Sequence, residues 1–187
     1  GNITRAGTLT AGSSTFLLNG SSGQTINNAM IGTTGAFYNL TITNNSGTAP
    51  SDCEITGWVP SVDFAAAAST TNNFTITTAS VKVEYESGSL YTFQNINWNG
   101  QTAGARIYFR NSAASGSWRL DVPGTQTAVS FMNVSRSDAS PGLQINGSDS
   151  TSIDCGDNVN WTFYLYPPEQ SRIIRLRDAR LRDVRLR

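Results

Sequence analysis

"FYNL" at residue 37, "FQNI" at 93 and "FMNV" at 131 repeat one pattern, Phe-x-Asn-apolar, along a chain of 187 residues. Phe37, Phe74, Phe93 and Phe131 each open a run with an apolar or β-branched residue two or three places on. Their spacings are 37, 19 and 38 residues. These are close to two, one and two multiples of about 19, the scale of solenoid coils. Such a period favours parallel strands stacked ~4.8 Å apart. Stacked Phe then fills the interior, and stacked Asn bonds its amides along the ladder.

The rest of the chain fits strands. "TFLLNG", "NFTITT", "SVKVEYE", "LYTFQNINW", "ARIYFR", "SWRLDV" and "AVSFMNVS" are short and β-branched, with Gly, Ser, Asn or Pro between them. No segment holds a 3.6-residue period for three turns; "VDFAAAAST" at 62–70 comes nearest. The predicted class is all-β, a parallel β-helix of about 19 residues per coil. An antiparallel β-sandwich or jelly roll is the alternative, because eight phenylalanines in a strand-rich chain produce some regular spacings anyway. The body is expected over 1–166, with an excursion near 44–73 carrying Cys53, Trp58 and Pro60.

Cys53 and Cys155 are the only cysteines. An even count in a secreted-looking chain invites a disulfide. The solenoid argues against it. Some five coils would separate the two, roughly 25 Å of stacking, whereas a bridge needs Cα atoms within about 7 Å.

Composition narrows function. Charged residues are 14%, lysine occurs once and histidine never. Small polar side chains on turns and solvent faces suit an extracellular or cell-surface β-protein. Without histidine there is no Ser-His-Asp or Cys-His site and no His-ligated zinc. No Gly-rich phosphate loop stands between a strand and a helix. The expectation is a non-enzyme that needs no cofactor. No apolar run approaches the ~18 residues of a membrane helix. No leader is visible, and a chain opening on Gly1 reads as processed or as a fragment.

The stretch "GTLTAGSSTFLLNGSSGQTIN…FYNLTITNNSG" resembles repeat-rich bacterial surface proteins that fold as right-handed β-helices. So does "VSFMNVSRSDASPGLQINGSDSTSIDCGDNVNWTF", which is similar to the final coils of such proteins. The resemblance covers most of residues 6–163 and implies a right-handed parallel β-helix. It implies no activity, because adhesins, stalks, fibres and polysaccharide-processing enzymes share that architecture.

Several residues are candidates for chemistry. Glu84 and Glu86 alternate onto one strand face and read as a solvated face. Asp149, Asp154 and Asp157 lie in "NGSDSTSIDCGDN" and are the oxygen donors to test for calcium, although the spacing matches no EF-hand. Trp58, Trp98, Trp118 and Trp161, with Tyr85, Tyr91 and Tyr108, could stack on sugars, but aromatics within strands more often form core. Asn-x-Ser/Thr occurs eight times. Of these, Asn19, Asn44 and Asn146 fall on predicted loops and are the glycosylation candidates.

The chain ends unlike its body. Residues 1–171 carry six basic and eleven acidic side chains; 172–187 carry seven arginines and two aspartates. Pro167 and Pro168 set off 167–171 as a linker. In the tail, Leu176, Leu181 and Leu186 recur every five residues, which builds no helical stripe. Ile174, Ala179 and Val184 precede them by two. This resembles pentapeptide-repeat proteins, whose inward residues lie on the sides of a square coil. Here Arg175, Arg180 and Arg185 stand between the inward pairs, and Arg177, Arg182 and Arg187 follow them. Too few repeats are present to close a coil, so the tail needs a partner surface. The expected partner is another copy of the chain, joined head to tail into a fibre, with cell-surface glycans as a further possibility. Neither nucleic-acid binding nor membrane insertion is expected. A carbohydrate-binding adhesive domain is the second reading and a polysaccharide-processing enzyme the third.

Overall fold

The structure, a computed structural model, describes residues 1–49 and 53–163. No helix occurs among them. Fifteen short strands form: β1 (Thr15–Leu18), β2 (Gln24–Ile26), β3 (Asn39–Ile42), β4 (Val62–Phe64), β5 (Ser69–Ile76), β6 (Lys82–Tyr85), β7 (Leu90–Asn99) and β8 (Ile107–Asn111) come first. Then follow β9 (Trp118–Asp121), β10 (Gln126–Ser130), β11 (Met132–Val134), β12 (Ser137–Asp138), β13 (Ile145–Gly147), β14 (Ile153–Asp154) and β15 (Trp161–Phe163).

Every pairing between these strands is parallel, so the antiparallel sandwich or jelly roll is not what forms. The strands fall into three stacks. The first is β2-β4-β6-β8-β11-β14. The second joins the N-terminal halves of β5 and β7 to β9 and β12. The third runs from β1 through β3 and the C-terminal halves of β5 and β7 to β10. The β13-β15 pair follows β10. A register shift between Thr70 and Asn73 lets β5 turn from the second stack into the third. The chain visits the three stacks in rotation, which agrees with a solenoid-type class.

The repeat is longer than 19 residues. In the first stack Val62, Val83, Phe109 and Val134 form one inward column at offsets of 21, 26 and 25. Each circuit needs three strands and three turns, and the turns vary in length. The four phenylalanines are therefore not equivalent. Phe37 and Phe93 both pair with Thr70 and share a column. Phe74 belongs to the third stack, beside Leu40 and Ile96. Phe131 sits between β10 and β11 at a φ of 51°, outside both columns.

The asparagines of the motif do stack in two of its three copies. Asn39 Oδ1 accepts from Asn72 Nδ2 at 3.0 Å and Asn73 N at 3.3 Å. Asn95 Nδ2 donates to the Asn72 carbonyl at 3.3 Å, and Asn95 Oδ1 accepts from Thr125 N at 2.9 Å. Asn133 belongs instead to the first stack, where it is buried.

Alternation along each strand sends one side chain in two to the interior. Leu18, Ile42, Ile76, Trp98 and Val129 do so in the third stack, each at 7% exposure or less. Burying an aliphatic or aromatic side chain of this size contributes about 1.5–3 kcal/mol. Inside, Tyr85 stacks between Phe64, at 5.3 Å, and Trp118, at 4.1 Å.

Candidate functional site

Between Ile42 and Val62 the chain leaves the stacks. The interval expected as an excursion, 44–73, also holds β4 and the start of β5, so the insertion ends near Pro60. Its two limbs meet in an antiparallel bridge between Thr48 and Val59, with N–H···O distances of 2.9 Å in both directions. Gly47 makes this turn possible. Its φ is 76°, and a Cβ there would stand 2.3 Å from the Val59 carbonyl oxygen.

This insertion lies as a strap across the outer face of the first stack. Lys82 Nζ donates to the carbonyls of Asn45 (3.0 Å) and Ser46 (3.2 Å). Trp58 packs on Tyr108 at 6.3 Å and donates its Nε1 hydrogen to Glu84 Oε2 at 2.9 Å. The strap is bound covalently too. Cys53 and Cys155 form a disulfide, with Cα atoms 5.1 Å apart. Cys53 does not lie in a coil. It lies on the strap, which runs along the stacking direction. From β4 to β14 is four strand spacings, roughly 19 Å, well within the reach of the eleven residues from Ile42 to Cys53, about 36 Å when extended.

Beneath the strap, Asp63, Glu84 and Arg110 project from successive strands in direct register. Arg110 is 2% exposed. Its guanidinium stands 5.3 Å from the Trp58 ring centre and 5.8 Å from that of Tyr108, a cation between two π faces. Nη1 donates to the carbonyls of Phe109 (3.0 Å) and Asn133 (2.9 Å), and Nη2 donates to Asn133 Oδ1. A cleft of about 190 Å³ opens here, lined by Ile55, Trp58, Glu84, Arg110 and Arg136. Burial raises the Asp63 carboxyl above its ordinary range, and Glu86 adds to this. Burial also raises Glu84, with the Asp63 charge adding and the Trp58 hydrogen bond opposing. Burial depresses the Lys82 ammonium. The arrangement braces the strap to the stack through two cations, Lys82 and Arg110, the rings of Trp58 and Tyr108, and the Glu84 carboxylate.

A pH signature follows. A carboxyl raised in the fold contributes stability below its unfolded value of about 4.3, lost as pH climbs through the folded value. Above that window ionised Glu84 is a cost, and Glu84→Gln keeps an oxygen for Trp58. The substitution should raise stability near about pH 7, by less than ~1 kcal/mol because Glu84 is only partly buried and solvent screens its charge. The gain should vanish near about pH 3. Thermal unfolding of both proteins across that range is the check.

The sequence candidates fall as follows. Asp149 Oδ1 accepts from Thr151 N and Oγ1, Asp154 Oδ1 from Gly156 N and Asn158 Nδ2, and Asp157 pairs with Arg136 at 3.1 Å. Asp149 and Asp154 serve their own turns and Asp157 an ion pair, and no group of three or more His, Cys, Asp or Glu converges among the described residues. Asn19 and Asn146 are exposed. Asn44 is 1% exposed and its Nδ2 donates to Ser22 O, Gln24 Oε1 and Ser61 O, which leaves no space for a glycan in the folded chain. Trp98, Trp118, Tyr85 and Tyr91 are fully buried core and form no sugar platform. Glu84 lies under Trp58 and not on an open face, while Glu86 is exposed and accepts from Ser89 Oγ at 2.6 Å. The tail contact, Ile174 to Arg187, lies outside the described residues.

Arg110, Asp63 and Lys82 were not singled out from the sequence. Their signal is there: each is a charge at an outward position of a strand in a chain with few charges. In comparisons with known proteins, no family model, curated protein or solved structure matches the chain.

Proposed function

We propose that the chain is a right-handed parallel β-helix that serves as a non-enzymatic structural subunit of an extracellular bacterial fibre or surface assembly, stacking head to tail. The rotation through three parallel stacks suits a helix of this kind, and parallel crossovers are right-handed in about 98% of cases. One observation carries the assembly reading. The core is sealed along its length, and the partly buried hydrophobics packed against it are Ile3, Leu9 and Phe16 at one end and Trp161 and Phe163 at the other. Both ends also present strand edges. Among the described residues β1 has no strand beyond it, and β15 pairs only with β13. An apolar end above an unpaired edge is satisfied by the opposite end of a second copy. A head-to-tail contact of that kind does not close, so it propagates as a filament.

In the sequence the tail follows β15, which carries Trp161 and Phe163. Its seven arginines against a body of net negative charge add a directional, salt-sensitive term. Deleting 172–187 should abolish or shorten filaments at low ionic strength, and the intact chain should lose them progressively above about 0.5 M salt, where the Debye length is a few Å. Negative-stain microscopy with sedimentation reads both. Unchanged assembly of the deletion at low salt would remove the tail from the contact. A purely monomeric intact chain under all conditions would overturn the filament itself.

A further inference from the structure

The three stacks do not share charge equally. The first presents Asp63, Lys82, Glu84 and Arg110 outward beneath the strap. Along the third stack every outward residue of β1, β3, β10 and the C-terminal halves of β5 and β7 is uncharged. No segment of the described chain is paired across this face.

Two columns on it differ in how they are satisfied. In the column of Asn39, Asn73 and Asn95, the Asn39 and Asn95 amides are satisfied by Asn72, the Asn73 backbone and Thr125. The next column holds Leu17, Thr41, Thr75, Asn97 and Ala128, one per strand in continuous register. Among the described residues the side chains of Thr41, Thr75 and Asn97 take no hydrogen-bond partner. Leu17 at its head is 48% exposed. Beyond β10 the column runs into a polar cleft of about 430 Å³, lined by Gln126, Ala128, Ser130, Asn146 and Asp149.

We infer that this face binds an extended, neutral, hydroxyl-rich polysaccharide laid along the stacking axis. Hydroxyl and amide groups of Thr41, Thr75 and Asn97 recur at the strand spacing of ~4.8 Å, close to the length of one β-linked pyranose, so alternate sugars of a β-linked chain, which share an orientation, meet groups two strands apart. Threonine methyls, Leu17 and Ala128 offer apolar contact to the ring faces. The column itself carries no charge, which selects a neutral polymer, and the Asp149 carboxylate in the adjoining cleft disfavours a polyanion further. A polyanion such as nucleic acid finds no counter-charge on this face. An extended peptide that adds as a strand binds at sheet edges, through backbone pairing, and this face carries no aromatic groove for a proline-rich one. The inference is independent of polymerisation, since stacking copies would only lengthen the column.

The test uses the full chain with insoluble cellulose and chitin as neutral β-linked probes, and alginate as an anionic control. Thr41→Val with Thr75→Val removes two hydroxyls and keeps shape and strand propensity. Depletion isotherms should show binding to a neutral probe, little to alginate, and a loss of roughly tenfold or more in the double variant. Circular dichroism of the variant confirms the fold. No binding to either neutral probe overturns the inference, and so does binding that survives the double substitution. Ice-crystal shaping by the intact protein that the double variant loses would assign the face to a water lattice and overturn it. Side-by-side self-association lost in that variant would assign it to a second copy, with the same result.

Discussion

Reducing the Cys53–Cys155 bridge, or replacing either cysteine with serine, should lower the melting temperature by roughly 10 °C. The bridge closes a loop of 102 residues. Constraining the unfolded chain over that length is worth about 3–5 kcal/mol, and at this size each kcal/mol shifts the transition by about 2–4 °C. The effect should exceed that of an ordinary surface staple because the bridge joins the strap after β3 to the residue after β14. It ties an early circuit to a late one, where a solenoid otherwise holds only by neighbour contacts. Calorimetry with and without reductant measures it. Cys53→Ser, Cys155→Ser and the double variant should be equally destabilised, because one bond is lost in all three. A melting temperature indifferent to reductant would show that the two sulfurs are not joined.

Trp118→Ala should cost about 3–5 kcal/mol. The indole is fully buried, lies 4.1 Å from Tyr85 and meets Phe109 edge-on at 6.0 Å. Its Nε1 donates to the Ser135 carbonyl at 3.2 Å. Truncation leaves a cavity among rings that hold one another in place, and a buried carbonyl without its donor. Trp58→Ala makes the informative contrast. Trp58 sits on the strap and is only partly buried, so its loss should cost about 1–2 kcal/mol and loosen the strap without opening the core. Denaturant midpoints compare the two. Equal losses would mean that the strap is as much a part of the core as Trp118.

The all-β class and parallel stacking were legible because both rest on local rules. β-branched residues alternate with polar ones, turn residues break the runs, and a Phe-x-Asn-apolar motif recurs. The common column of Asn39 and Asn95 followed from parallel stacking, but their amides bond through Asn72, which lies outside the motif, and Asn133 leaves the column. The coil length was not legible. Phe spacings near multiples of 19 suggested a coil of that length, but Phe37, Phe74 and Phe131 occupy different places on the circuit. A period read from one residue type assumes equal turns, and these turns are unequal. The candidate site was legible only in pieces. Glu84 was noticed as a strand-face carboxylate, while its burial depends on Trp58 arriving from 26 positions away.

The amino-acid sequence by itself determined which side chains face inward, because alternation within a strand is a property of the strand. It also determined that the body has few charges and that its arginines concentrate at one terminus. Only the tertiary structure decided where the strap lies, that Cys53 reaches Cys155, and that charge gathers on one face of the stacks while another is left neutral. These are long-range outcomes. They depend on how many residues each circuit spends in its turns, and so on which distant residues come level with one another.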